Sequence, residues 1–324
     1  MCIARIAAVI GMLLAFCTPK LTVQAHRKHP ARDVNVYGGV PALPLEARVR
    51  VMPPVLAEYL VEDNVLNRFS TKPKPATLTE TENALVTQTL ANVPARLKAI
   101  AEKHVVGIFF VDDLGSTGFS DQLSGDGRAS LLVFDRSVIM LDANTWATKK
   151  EKTVFEPGTP VTFTLRAPDD NKPGTALQYI LLHELAHVIA HAKRAHPSPS
   201  SEDYEETALS RLSWEPFVRS DGEKIFVKKA EFRLEHSPGY YGAAPAQKVD
   251  QAPALYAAAS KGCFASLYAM VHIGDDFAEA LAIYAHVKWL GKPYAIDVGT
   301  THFETPLFEA RCKAKLDLVL KSLD

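Results

Sequence analysis

The chain has 324 residues, 47% of them hydrophobic and 23% charged, with 36 basic against 37 acidic side chains and a formal net charge of −1. That length permits one large domain or two smaller ones around a substantial core, in a composition ordinary for a globular protein. The balanced charge argues against a nucleic-acid binder, which needs a basic patch or stripe, and no stretch approaches the ~18 apolar residues of a membrane span.

In chain order, Arg5 precedes the apolar run Ile6 to Cys17, and Val23-Gln24-Ala25 offers a small-residue cleavage pattern before His26. This is the layout of a secretory signal peptide over residues 1–25, so the expectation is an exported protein, periplasmic or secreted. Lipid anchoring at Cys17 is the lesser alternative, because the bulky Phe16 stands where a lipoprotein box takes a small residue. Cleavage would leave Cys263 and Cys312, which in an exported chain predict one disulfide; the alternative is two buried free thiols.

Residues 26–78 read as an N-terminal extension. Its first part, 26–52, has the His, Arg, Pro and Gly content of a poorly ordered lead-in, followed by a short helix from Pro53 to Phe69 and a connector. A domain over 79–324 then opens on a stronger helix, where Thr79 and Glu82 form a capping box. Pro94 suits the first turn of another short helix. Val105 to Val111 is a strand by its β-branched and aromatic content. Asp112 to Gly127 reads as a loop, whose Gly115-Ser116-Thr117-Gly118 lacks the lysine and spacing of a phosphate-binding loop. Ala129 to Met140 supplies one or two strands, Asn144 to Glu151 one helical turn carrying Trp146, and Pro160 to Leu165 another strand. These strands predict a small sheet, and an exposed edge of it could pair with an extended peptide.

The most informative stretch is ILLHELAHVIAH, Ile180 to His191. His183 and His187 are four apart, so on a helix their imidazoles share one face and can hold one metal ion. Glu184 follows His183 by about 100° round the helix, beside that ion, where a carboxylate can take a proton from water. The bland alternative is a chance motif on a solvated helix face. The flanking Ile180, Leu181, Leu182, Leu185, Val188 and Ile189 argue against it, since they bury the three polar residues and a buried charge needs a partner. Thr175 and Gln178 predict a capping box at the helix start, with the end near Ala195. His191 continues the same face, but three successive turns of a straight helix span too far for one tetrahedral ion.

A third ligand must come from downstream. The segment Glu202 to Glu206 is acidic, Leu209 and Leu212 mark a short helix, Glu223 to Lys229 a strand, and Ala252 onward a largely helical part. Ser266 to Ala269 leads to a turn near Gly274, then helices from Asp276 to Trp289 and Phe308 to Leu320. Trp214, Tyr240 and Tyr241 are candidate cleft residues. Among the candidates Glu202, Glu205, Glu206, Glu215 and Glu279, Glu279 is set in the apolar run Phe277-Ala278-Glu279-Ala280-Leu281 and needs a partner. Capping by Asp276 and Glu279 is the alternative reading of that spacing.

HELAH followed by DDFAEALA resembles the gluzincin metallopeptidases, and SLYA followed by DDFAEALA is similar to bacterial exported zinc peptidases. The resemblance implies an α+β, zincin-like core, a small mixed sheet packed on the HExxH helix with a mostly helical part at about 252–324. It also implies Zn²⁺ held by His183, His187 and Glu279, with Glu184 as general base. Tyr268 and His272 become candidate oxyanion donors, and Asp276 a residue that orients a zinc-binding histidine or caps its helix. Lys193, where a metzincin has its third histidine, disfavours that class. The expected function is an exported zinc-dependent metallopeptidase acting on a peptide or protein substrate. The alternatives are a non-catalytic zinc-binding or assembly protein and a hydrolase of a non-peptide or cell-wall amide.

Overall fold

A computed structural model describes residues 26, 28–67, 69–125, 127–197, 205–220, 222, 224–234 and 238–324. The expected signal peptide over residues 1–25, with Cys17, and most of the acidic segment at 202–206 lie outside these residues. Among the described residues no helix is long and apolar enough to cross a membrane.

The lead-in is built rather than loose, contrary to expectation. Three 3-10 turns, Pro30–Arg32, Val34–Tyr37 and Leu45–Arg48, bury Ala31, Val34, Tyr37 and Leu45. Side-chain caps hold the first two: His29 and Asp33 accept from the backbone N–H groups of Ala31 and Asn35. Arg48, only 1% exposed, has its guanidinium satisfied by the carbonyls of Pro41, Leu43, Glu102 and Val105. A buried cation is tolerable only when its donors are paired in this way. Helix α1 (Pro54–Leu66) follows, with proline in its first turn.

The first sheet contains β1 (Lys74–Pro75), β2 (Val105–Asp112), β3 (Gly118–Gln122) and β4 (Ser130–Asp135) in the order β1-β2-β4-β3. The β2–β4 pair is parallel and the others antiparallel, so the sheet is mixed. Strand β3 lies inside the stretch expected to be a loop. Its residues GFSDQ are all half-buried, so no alternation marks it, and backbone pairing of Phe119 with Val133 and Asp121 with Leu131 holds it at the sheet edge. The unbroken apolar reading of β2 and β4 has a simple cause, because both sheet faces are covered. Val105, Ile108, Phe110, Leu132 and Phe134 face the main core, while Val106, Phe109, Val111, Leu131 and Val133 face the N-terminal turns and α1.

On the main-core side, α2 (Glu80–Ala91) carries the expected Thr79–Glu82 capping box, and α3 (Ala95–Ala101) follows Pro94. Helix α4 (Ala143–Lys152) is ten residues, not one turn, started by Asp142 accepting from the Thr145 N–H. The HExxH helix is α5 (Thr175–Lys193). Its capping box does not form: Gly174 precedes it in a left-handed conformation, Thr175 Oγ1 accepts from Ala143 N, and Gln178 pairs with Arg166. It ends at Arg194, which is also left-handed.

Beyond it come a short α6 (Ser210–Ser213), the hairpin β6 (Trp214–Val218) and β7 (Lys224–Lys228), α7 (Ala252–Lys261) and α8 (Ile273–Tyr284), which runs into a π turn over Ala285–Trp289. The C-terminal part is less helical than expected. Strands β8 (Ala295–Val298) and β9 (Thr301–Glu304) form a hairpin that pairs with β5 (Val161–Thr164), which therefore stands in a second sheet and not with β1–β4. Helix α9 (Lys313–Lys321) closes the chain, and a disulfide joins Cys263 to Cys312 with Cα atoms 5.4 Å apart. The architecture is thus α+β with small sheets, and α5 packs along α8 at its centre.

Candidate metal centre

Helix α5 is apolar on nearly every side, so its polar residues enter the core together: His183 and Glu184 are buried and His187 is half-buried. Helix α8 meets them with its first turn. That helix starts earlier than its sequence suggests, because His272 caps it, Nδ1 accepting from the Gly274 N–H at 3.1 Å. Gly274 permits the close approach, since a Cβ there would lie 3.1 Å from His272 Nδ1 and 3.5 Å from ring atoms of His187 and His196. The early start puts Asp275 in the first turn, facing α5.

Three donor atoms converge there. His183 Nε2 lies 3.2 Å from His187 Nε2, and Asp275 Oδ1 lies 3.6 Å from the first and 3.5 Å from the second. Among the described residues, these three side chains are the group able to hold a metal ion. A tetrahedral zinc with N and O bonds of about 2.0–2.2 Å spaces its ligands about 3.3–3.6 Å apart, so the donor set fits. Glu279, expected as the third ligand, stands one turn further along α8 and binds the other side of the same imidazole: His183 Nδ1 donates to its Oε1 at 2.8 Å. A carboxylate only accepts, so this bond places a proton on Nδ1 and turns Nε2 toward the shared centre. Tyr179, one turn before His183, donates to Glu279 Oε2 at 3.4 Å.

The electrostatics follow from burial against pairing. Burial alone would lower the His183 pKa, but the carboxylates of Asp275 and Glu279 outweigh it and push it up to about 10. Asp275 and Glu279 are both penalised by burial yet held well below the usual carboxylate range, Asp275 by His183 and His187, Glu279 by Lys150 and His183. The pocket therefore favours positive charge between its carboxylates. His191 stacks beside His187, with ring centroids 6.3 Å apart, and burial keeps it neutral.

A small cleft opens on this centre, its wall including Glu184, His183, Tyr268, Lys150, Thr117 and the first residue of β3, Gly118. Tyr268 stands with its ring 5.8 Å from that of His183. Its hydroxyl is kept protonated by the charge of Asp275 and by burial. His272 spends Nδ1 on the α8 cap and is not part of the cleft wall. Tyr241 lines the cleft, but the other two expected cleft aromatics do not: Tyr240 is buried and donates to Glu151, and Trp214 is buried and donates to Asp276. Asp276 orients no histidine. It is locked at 2.8 Å to the buried Lys315, and its burial pushes its pKa up against that pairing.

Sequence reasoning missed Asp275, Tyr179 and Lys150. The available signal for the first was the Asp275–Glu279 spacing, which puts two carboxylates on one helix face. No protein-family model, no curated protein and no solved structure matches the chain.

Proposed function

We propose that the chain is an exported zinc-dependent metallopeptidase with a zincin-like core, in which His183, His187 and Asp275 hold the metal. The observation that carries this reading is the 3.2, 3.5 and 3.6 Å spacing of their donor atoms on two packed helices. When bound, zinc supplies Lewis-acid activation of water and polarisation of a carbonyl. Glu184, adjacent to the ligands and facing the cleft, takes the proton of the attacking water and returns it to the leaving amine. Tyr268 donates its phenolic proton in a hydrogen bond to the developing oxyanion. Glu279, steadied by Tyr179, fixes the tautomer and orientation of His183. A peptide as substrate is supported by β3, an edge strand that starts in the cleft wall and has main-chain groups on its free side for an extended chain.

The test compares wild type with Glu184→Gln on a panel of unstructured peptides. Both should carry zinc, and the variant should lose roughly 10²–10⁴-fold in turnover. Turnover unchanged in the variant, or zinc-loaded wild type that cleaves no peptide, would contradict the reading.

A further inference from the structure

Lys150 is a cation in the cleft wall that the proposed hydrolysis does not use. It stands on the last turn of α4, four residues after Trp146, so the two share a face. Its ammonium lies 3.5 Å from the Tyr268 ring centroid and 5.6 Å from those of Trp146 and Tyr240. Among the described residues no oxygen is within hydrogen-bonding distance of Nζ and no carboxylate within 4 Å, so the buried Glu279 and Glu151 are reached by its charge alone. Ring faces attract an ammonium but do not replace the acceptors its three N–H groups can engage. Behind Lys150 lies a narrow recess too small for a substrate side chain, lined by Phe163, Leu165 and Tyr294 and by the buried carboxylates of Glu151 and Glu279. The molecule thus holds an ammonium with unused donors in the wall of the cleft that His183, Glu184 and Glu279 also line.

We propose that Lys150 reads a carboxylate of the substrate, so that the site selects peptides that place an acidic side chain or a free C-terminal carboxylate against Lys150 in this cleft, next to the scissile bond. This rests on the peptidase reading of the same cleft. A charge-assisted N–H···O bond formed away from bulk water discriminates strongly against the neutral isostere, which leaves the ammonium without an acceptor.

The test is equilibrium binding of fluorescent peptides to the full chain, zinc-loaded and carrying Glu184→Gln so that nothing is cleaved. Three peptides share one sequence: Gln with an amidated end, Glu with an amidated end, and Gln with a free carboxylate. At least one acidic form should bind roughly tenfold or more tightly than the neutral one, and which one does identifies the source of the carboxylate. That ratio should fall to about one with Lys150→Met, persist with Lys150→Arg, and reverse in favour of a Lys-containing peptide with Lys150→Glu. Equal binding of all three peptides would overturn the proposal. So would a Lys150→Met variant that weakens every peptide alike with the ratio intact, since the lysine would then only balance Glu279. If the carboxylate ratio holds while wild type cleaves none of the three, the hydrolytic reading fails and the assignment of Lys150 stands.

Discussion

His183 meets Glu279 on Nδ1 and the His187–Asp275 pair on Nε2, and on the proposed reading this division separates binding a metal from orienting its ligand. Replacing Glu279 by Gln keeps an acceptor near Nδ1 but removes the charge that sets the imidazole, so zinc affinity should fall roughly 10–100-fold without being abolished. Competition with a chromogenic chelator measures this, and affinity equal to wild type would show that Glu279 does not steady the ligand. His183, Glu184 and His187 were legible from their sequence because one helix fixes their mutual geometry. Asp275 was not, since Gly274 reads as a turn and hides the fact that the helix, capped by His272, starts at Ile273, three residues before the expected Asp276. The buried Asp276 next to it invited a capping or orienting role that the contact with Lys315 replaces.

Among the elements, those with strong local signals appeared as read. Helix α2 is the clearest case: Glu82 closes the capping box on Thr79 N at 2.7 Å and also accepts from Arg136 Nε at 2.8 Å. The Arg136 bond outweighs burial and lowers the Glu82 pKa. A carboxyl whose folded pKa is depressed contributes stability that is complete above its unfolded value and is lost as pH falls through the folded one. Urea midpoints should therefore show wild type more stable than Glu82→Gln at neutral pH, with the gap closing as pH drops below about 4. A gap that stays constant into acid would show that the charge contributes nothing. Elements held by pairing rather than by a local pattern were not legible. Strand β3 has no alternation and depends on β4, and the β8–β9 hairpin depends on β5, more than 130 residues earlier in the chain. The N-terminal turns likewise owe their order to the second face of the sheet, which local composition does not reveal.

At the scale of the whole molecule, the centre exists because α5 and α8, far apart in sequence, pack side by side, and several devices hold α8 there. Lys315 on α9 grips Asp276 beside the proposed ligand Asp275, and the Cys263–Cys312 disulfide fixes the start of α9 to the end of α7 across a separation of 49 residues. Closing a loop of that length stabilises by about 4 kcal/mol on the chain-entropy account. Replacing both cysteines by serine should lower the unfolding free energy by about that amount in denaturant titrations. A loss near zero would mean that packing alone holds the C-terminal helix.

The central claim is that one metal ion sits between α5 and α8 on His183, His187 and Asp275. It is tested most directly by measuring zinc per chain in purified wild type and Asp275→Ala, side by side, after dialysis against a weak chelator. The account predicts one zinc per wild-type chain and a near-complete loss in the variant. A wild type that retains no zinc, or a variant that retains as much as wild type, would contradict it.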